Sequence, residues 1–273
     1  MIGVFDSGVG GLSVLREVRM HLPGEPLLYV ADSGHAPYGD RSTRYIEARA
    51  TAIVEFLVGA GARAIVIACN TATVVAAKSL RSWCPVPIIA MEPAIKPAVA
   101  LTRSGVVGVL ATRRTLESPS VSRLCDLHGH EARILLQPCP GLVDRVEGGD
   151  LQGAVTRGLL QSYLDPLLSA GADTLVLGCT HYPFLAPMIR ELAGPDVSIV
   201  DPSGAVAREL SRRLGEAVAR DAPLADLRDV PPAPWRTGTE RFFTSGPLPA
   251  ARELMGALWG REIELSALPL VRA

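Results

Sequence analysis

Two cysteines of this 273-residue chain stand in closely similar surroundings. Cys69 lies in the stretch IACNTA and Cys179 in the stretch LGCTHY, each where an apolar run ends and polar residues begin. A thiol beside hydroxyl, amide or imidazole groups can serve as a nucleophile, a metal ligand, half of a disulfide or a proton carrier. The rest of the chain discriminates among these chemistries.

The cysteine pattern argues against disulfides and against a metal site. The chain has five cysteines, an odd number, and its start lacks the basic and apolar segments of a secretion signal. No C-x-x-C occurs and no histidine stands at zinc-finger spacing from a cysteine, so we expect no metal. Three cysteines lack the strand-end context and are interpreted as structural: Cys84, Cys125 and Cys139.

The surroundings of the two cysteines belong to a longer internal repeat. Gly61–Cys69 aligns without a gap with Gly171–Cys179. Two further pairs of segments match in the same order: Gly3–Ser7 with Gly108–Thr112, and Ile88–Pro93 with Val197–Pro202. Three ordered matches indicate a duplicated unit.

Each unit consists of short apolar runs followed by turn residues and then by helical spacing. This alternation is typical of βα units and predicts an α/β fold with mainly parallel sheets flanked by helices. In the first unit it predicts strands over Ile2–Phe5, Leu27–Ala31, Ala64–Ala68 and Val86–Ala90, and helices over Leu12–Leu22, Tyr45–Gly59 and Asn70–Trp83.

The duplication predicts two lobes related by a pseudo-twofold axis, with the active site in the cleft between them. We expect residues 1–93 plus 204–273 to form the first lobe, with the C-terminal part packed back on it, and residues 94–203 to form the second. The C-terminal part is predicted to contain a helix over Val206–Val218, a proline-rich link at Pro231–Pro234, a strand over Arg241–Thr244, a helix over Pro247–Leu258 and a strand over Glu262–Leu265.

Chemically useful side chains collect where the strands of each unit end. Because the carboxyl ends of parallel strands form binding sites, we expect Cys69 and Cys179 to face one cleft. A helix start lowers the pKa of a cysteine, and a thiol tuned in this way suits general acid–base catalysis. Two such groups on opposite sides of a substrate can invert a stereocentre. His181 and Asp6 are the candidate partners of Cys179 and Cys69.

Polar residues beside the same strand ends suit a carboxylate ligand. Hydroxyl and amide groups next to helix starts form an anion-binding nest, although each of them alone could equally cap a helix. The segment DSGVGGLS is not a G-x-G-x-x-G motif and precedes no Walker lysine, which disfavours a dinucleotide site. The candidate anion-binding residues are Ser7, Asn70, Thr71, Thr112 and Thr180.

Charge and hydropathy exclude other classes of protein. The chain carries 27 basic and 28 acidic residues, for a net charge of −1, and has no basic stripe, so we expect no nucleic-acid partner. No apolar run approaches the ~18 residues of a membrane span. Together with the absence of a secretion signal, this predicts a cytoplasmic protein that does not bind membranes.

Five motifs resemble those of the cofactor-independent glutamate racemases of the aspartate/glutamate racemase superfamily. They occur in family order over about residues 2–210: GVFDSGVGGLSVLREV, PYGDRS, IACNTAT, GVLATRRTLES and LGCTHYPFL. The resemblance implies two α/β lobes and racemisation of glutamate without a cofactor, supplying D-glutamate for peptidoglycan synthesis. We also expect a homodimer.

The resemblance further implies roles for individual residues. Cys69 and Cys179 become the two catalytic acid/bases, Asp6 and His181 assist them, and Glu147 is the acidic group near the substrate ammonium. Asp6, His181 and both cysteines also contact the substrate, together with the other binding positions of the family: Ser7, Pro37, Tyr38, Gly39, Asn70, Thr71, Thr112, Thr115 and Thr180.

Two departures qualify the resemblance. Residues 32–36 read DSGHA where many relatives carry Asp-Thr-Ala-Arg, which affects the local lid more than the chemistry. The chain also lacks the N-terminal extension of the branch activated by a cell-wall precursor, so we expect no such activation.

Three other functions stay open. The substrate could be aspartate, a hydantoin or another dicarboxylate, although retention of both cysteines favours glutamate. The protein could be an inactive relative that binds a ligand. It could also be a hydrolase with a cysteine nucleophile, but that reaction needs one thiol and leaves the second unexplained.

Overall fold

The computed structural model describes residues 1–221 and 238–269, so the link predicted at Pro231–Pro234 lies outside the described residues. The first part of the chain alternates strands and helices: β1 (Ile2–Asp6), α1 (Leu12–His21), β2 (Leu27–Ala31), α2 (Thr43–Gly59), β3 (Ala64–Ile67), α3 (Asn70–Trp83) and β4 (Ile88–Ala90). Two 3₁₀ turns, Ser33–His35 and Tyr38–Asp40, follow β2.

The alternation continues through the middle and the end of the chain. The middle contains α4 (Ile95–Leu101), β5 (Val106–Ala111), α5 (Arg113–Leu116), α6 (Pro119–His128), β6 (Arg133–Pro138), α7 (Leu142–Glu147), α8 (Ala154–Ser169), β7 (Thr174–Leu177), a 3₁₀ turn (Tyr182–Leu185), α9 (Ala186–Ala193) and β8 (Ser198–Val200). The end contains α10 (Ser203–Asp221), β9 (Glu240–Thr244), α11 (Leu248–Trp259) and β10 (Leu265–Ala267).

The strands form two parallel sheets, as the sequence predicts. One sheet has the order β10-β9-β2-β1-β3-β4 and the other the order β6-β5-β7-β8. The order β2-β1-β3-β4 in the first equals β6-β5-β7-β8 in the second, so the two sheets share a topology. The predicted fold class, two matched α/β lobes with helices around each sheet, is confirmed.

The strand register reproduces the internal repeat at two of its three matches. Gly3 lies opposite Ile65 in the first sheet, and Gly108 lies opposite Leu175 in the second, which are the positions that the repeat aligns. The third match is shifted, because Ile88 corresponds in register to Ile199 rather than to Val197. A slip of two residues keeps every side chain on the same face of a strand, so hydrophobic alternation cannot detect it.

The glycines of β1 and β5 make room for the same kind of contact in both lobes. A Cβ added at Gly3 would lie 3.0 Å from the side chain of Leu57 in α2, and one at Gly108 would lie 2.8 Å from that of Leu167 in α8. A helix leucine therefore packs directly on the central strand of each sheet. This matched contact follows from the duplication.

The C-terminal part adds two strands to the first sheet, since β9 pairs with β2 and β10 pairs with β9. The strand predicted over Glu262–Leu265 is wrong, because pairing with β9 begins only at Leu265. The alternating apolar residues Ile263 and Leu265 mimic a strand, but the chain is still crossing from α11 to the sheet edge at 262–264.

The helices next to the two predicted boundaries between the lobes pack on different sheets. Helix α4 contacts β5, β7 and β8, whereas α10 contacts α1, β3 and β4. On this basis we propose the boundaries 1–93 plus 204–273 and 94–203 for the two lobes. One buried apolar cluster includes residues of both, among them Val9, Leu110, Val143 and Tyr182. Among the described residues, none of the helices combines the length and apolar character needed to cross a membrane.

Candidate active site between the lobes

Cys69 and Cys179 line one small cavity between the two sheets. Its volume is about 10 Å³, space for about one water molecule. A surface groove of about 1100 Å³ near Arg16 and Trp259 is much larger but contains neither thiol. Apart from Val143, an apolar residue of α7 that the sequence did not suggest, all the lining residues are predicted ones: Ser7, Pro37, Tyr38, Gly39, Cys69, Asn70, Thr71, Thr112, Cys179, Thr180 and His181.

Cys69 caps the N-terminus of α3. Its Sγ accepts a hydrogen bond from the backbone N–H of Ala72 at 3.3 Å, and its thiol donates to Ser7 Oγ at 3.5 Å. The expectation that the helix start lowers the pKa of this thiol is wrong: burial, assisted by the charge of Asp6, raises the pKa of Cys69 to about 12. Loss of water around a buried thiolate outweighs the helix N–H groups. Cys69 is therefore a thiol at neutral pH.

Cys179 lies beside the side chain of His181 and not at the start of a helix. The expectation that it begins a helix is wrong, because β7 ends at Leu177 and α9 begins only at Ala186, after a turn and a 3₁₀ segment. Its Sγ lies 3.7 Å from His181 Nδ1. The two thiols are thus matched in the sheets but sit in different electrostatic surroundings.

His181 is buried, with 1% of its surface exposed, and both ring nitrogens have partners. Nδ1 faces Cys179, and Nε2 donates to Glu147 Oε1 at 2.6 Å. Burial acts to lower the pKa of His181, but the bonds to Cys179 and Glu147 outweigh it and raise the pKa well above its usual value. The ring is therefore a buried imidazolium between two acidic partners.

Glu147, at the end of α7, lies behind His181 and not on the cavity. Its Oε1 accepts the bond from His181 and a second from the backbone N–H of Val9 at 2.7 Å. The resemblance suggested a position near the substrate ammonium. That position stays a prediction, and the structure shows contacts of Glu147 with an imidazole and with the loop that follows β1.

Asp6 ends β1 and is fully buried. Its Oδ2 accepts from the backbone N–H of Gly11 at 2.9 Å, and its Oδ1 accepts from the hydroxyl of Thr180 at 3.2 Å. Burial raises the pKa of Asp6, and the nearby His181 opposes that rise. The carboxylate acts on Cys69 through its charge, while its hydrogen bonds connect the first lobe to Thr180 of the second.

Hydroxyls from both lobes meet at another side of the cavity. Thr71 Oγ1 lies 2.9 Å from Thr112 Oγ1 and 3.2 Å from Thr115 Oγ1. Thr115 is fully buried and supports the other two without lining the cavity. Asn70, in the orientation assigned to its amide, donates to Met91 Sδ, and its Oδ1 is buried without a partner among the described residues. This face can accept a polar ligand group.

The wall at residues 37–39 is held by a buried ion pair that sequence reasoning missed. Tyr38 donates its hydroxyl proton to Asp32 Oδ2 at 2.5 Å. Arg49 of α2 binds the same carboxylate through two hydrogen bonds, of 2.9 and 2.6 Å. Asp32 directly follows β2, and the site residues of other strands lie at the same edge of the sheet. This position is the sequence signal that could have identified Asp32. The departure at residues 32–36 therefore leaves this anchor intact.

The glycines of DSGVGGLS allow groups of the site to approach the backbone. A Cβ at Gly8 would lie 1.9 Å from Glu147 Oε1, and one at Gly10 would lie 2.4 Å from His181 Nδ1. A Cβ at Gly11 would lie 2.6 Å from that of Asp6. Side chains essentially never come this close, so the segment must be glycine-rich for the site to assemble. Close packing therefore explains the glycines of the motif.

Two α/β lobes of one topology, each contributing a thiol to a shared interlobe cavity, define a pseudo-symmetric α/β protein with a candidate site between its lobes. The chain matches the family model described as Asp/Glu/Hydantoin racemase over residues 2–210. The chain therefore belongs to the Asp/Glu/Hydantoin racemase family, and it is an amino-acid racemase.

Individual relatives agree over nearly the whole chain. It is 51% identical to a glutamate racemase of Ectopseudomonas mendocina, covering 97% of this chain and 96% of the relative. A glutamate racemase isoform from Bacillus anthracis superposes with a TM-score of 0.83 at 32% identity, covering 99% and 97% of the two chains. The Escherichia coli glutamate racemase, solved with L-glutamate and the activator UDP-MurNAc-Ala, superposes with a TM-score of 0.81 at 33% identity, covering 97% and 96%.

Proposed function

We propose that the protein racemises glutamate without a cofactor, using Cys69 and Cys179 as acid and base on opposite faces of the substrate Cα. The observation that carries this proposal is that two thiols from matched strand ends line one cavity. The glutamate racemases to which the chain is similar support the choice of substrate.

The surroundings of the two thiols support complementary starting roles. Cys69, with its pKa raised to about 12, begins as the thiol that donates a proton. Cys179 lies 3.7 Å from Nδ1 of His181, which supplies a positive partner for the sulfur when Cys179 acts as the base. In one direction the Cys179 thiolate takes the Cα proton and leaves the electron pair on carbon, and the carbanion takes the proton of Cys69 on its other face. The reverse reaction exchanges the two roles.

Binding of glutamate requires the cavity to enlarge. A volume of about 10 Å³ is much smaller than an amino acid, so the substrate enters only when the lobes separate. We propose that the hydroxyl and amide groups of Ser7, Asn70, Thr71, Thr112 and Thr180 then bind the carboxylates. Pro37, Tyr38 and Gly39 form a wall, and Thr115 supports the threonines from behind.

The test combines substitution with isotope uptake. Cys69→Ala and Cys179→Ala should each abolish racemisation, measured by circular dichroism without pyridoxal phosphate, while Cys125→Ala, a thiol outside the cavity, should leave it unchanged. In heavy water the wild-type protein should place deuterium at Cα when it starts from either enantiomer. Unchanged rates in the cavity variants would remove the thiols from the mechanism, and a folded wild-type protein without activity would refute the function.

The cellular role follows from the substrate. We propose that the product D-glutamate enters peptidoglycan, and that the protein works as a cytoplasmic homodimer, a setting suited to its five free thiols. Growth of a D-glutamate auxotroph on expression of the chain tests the first statement. Light scattering on a size-exclusion column tests the second. Aspartate and hydantoins belong in the same activity assay, because turnover of either in preference to glutamate would reassign the substrate within the family.

A further inference from the structure

Glu147 connects the buried site to a second surface feature. It lines a groove of about 590 Å³ on the side of His181 opposite to the cavity. The other lining residues come from the loop after α7, from α11 and the loop before it, and from the segments that follow β1 and β2. The Glu147 side chain is 16% exposed, whereas that of His181 is 1% exposed. Glu147 is therefore the outermost member of a chain of three groups.

The three groups are in contact from the cavity to the groove. Cys179 Sγ lies 3.7 Å from His181 Nδ1, and His181 Nε2 lies 2.6 Å from Glu147 Oε1. An imidazole can keep a proton on one nitrogen while it gains or loses a proton at the other. The counterpart near Cys69 differs, because Asp6 is fully buried and its hydrogen bonds run to Gly11 and Thr180.

The proposed racemisation changes the charge of Cys179 in every turnover. When the thiolate takes a proton from Cα, the imidazolium beside it loses one of its two negative partners, inside a site with space for about one water molecule. Removing a partner of a buried charge costs free energy. This cost is smaller if His181 changes its charge together with Cys179. The proton concerned must have a route to solvent.

We propose that Glu147 is the group through which the buried Cys179–His181 pair exchanges protons with solvent. The inference rests on the proposed function. As Cys179 gains the Cα proton, the Nε2 proton of His181 passes to Glu147 Oε1, and Glu147 passes it to water in the groove. When Cys179 later donates its proton to the carbanion, a water proton returns through Glu147 to Nε2. The net charge of the three groups is then the same before and after each half-cycle.

Glu147→Gln separates this role from simple positioning. One oxygen, Oε1, accepts both the His181 and the Val9 hydrogen bonds, so a glutamine oxygen can keep both. The amide cannot carry a proton, and we expect kcat to fall by about 10²-fold, within the range of general acid–base effects. Glu253→Gln is the matched control, since Glu253 lines the same groove. A Glu147→Gln enzyme with the wild-type kcat would overturn the proposal.

Chemical rescue distinguishes proton exchange through Glu147 from a purely structural role of this residue. Glu147→Ala opens space beside His181 that small ions can reach from the groove. Formate, a carboxylate, should restore activity in proportion to its concentration, whereas formamide should not. Nitrate, a planar anion that is not basic, should also fail.

Rescue by nitrate as well as formate would show that charge alone matters, and rescue by formamide would show that space filling alone matters. Either result overturns proton exchange. Lack of racemisation by the folded wild-type protein would instead refute the proposed function, so the two failures are distinguishable.

Discussion

Replacing Gly10 by alanine tests whether the glycine-rich loop positions the imidazole of the site. The added Cβ would lie 2.4 Å from His181 Nδ1 and 2.7 Å from its Cε1 and Cγ. The ring cannot retreat freely, because Glu147 Oε1 is already 2.6 Å from Nε2 on its other side. The substitution therefore perturbs the relation between His181 and Cys179 without removing any polar group.

The geometry sets the size of the effect. Moving from 2.4 Å to an ordinary contact of 3.4 Å requires a displacement of 1.0 Å, and even the shortest tolerated contact of 3.0 Å requires 0.6 Å. A misplacement of about 1 Å in a catalytic constellation can cost about 10²-fold in rate. Overpacking should also reduce the free energy of unfolding by about 1–3 kcal/mol. We expect kcat to fall by about 10- to 100-fold in a protein that still folds.

The assay compares racemisation rates from L- and D-glutamate, measured by circular dichroism, with urea denaturation of the same samples. Gly158→Ala is the control, because Gly158 lies exposed in α8 and a Cβ there meets nothing within 4 Å. A stable Gly10→Ala protein with the wild-type kcat would show that the close approach of the loop does not constrain His181.

Three further predictions concern stability. Arg49→Met leaves the Asp32 carboxylate buried without its cationic partner and should lower the free energy of unfolding by about 3–5 kcal/mol in urea titrations. It should also raise KM, because Tyr38 loses part of its support. A loss of stability no larger than that from substituting an exposed arginine would contradict the first expectation. Burial raises the pKa of Cys69 from 9.0 to about 12, so the thiol contributes stability that is complete below pH 9.0 and is lost as the pH rises toward about 12. Cys69→Ser should therefore lose less stability than the wild type between about pH 8 and about pH 10.5, and equal losses would exclude this contribution. Gly158→Ala should raise the free energy of unfolding by about 1 kcal/mol, read from thermal melting, with kcat unchanged; a destabilised variant would contradict the open surroundings of this position.

The sequence predicts most of the fold because the α/β pattern is local and occurs twice. Buried parallel strands appear as short apolar runs, and the end of each run locates the polar residues that meet at the sheet edge. Cys69, Cys179, Ser7 and Thr112 were identified in this way. The resemblance added Glu147 and Thr115. Glu147 stands in a glycine-rich stretch and Thr115 in a helix, so neither directly follows an apolar run.

What the sequence could not determine depends on groups brought together from distant elements. The pKa of Cys69 is set by burial and by Asp6, which outweigh the local helix start, because desolvation depends on everything packed around the sulfur. Arg49 reaches Asp32 from another element, so sequence spacing does not reveal the pair.

The sequence by itself therefore determined the duplicated strands and the two thiols that end them. The tertiary structure alone decided that burial and Asp6, and not the helix start, set the pKa of Cys69, and that Glu147 bonds to His181 behind the cavity. Distances between groups and solvent access in the folded chain set the protonation states of side chains. Local sequence spacing sets only the helices and strands that carry those side chains.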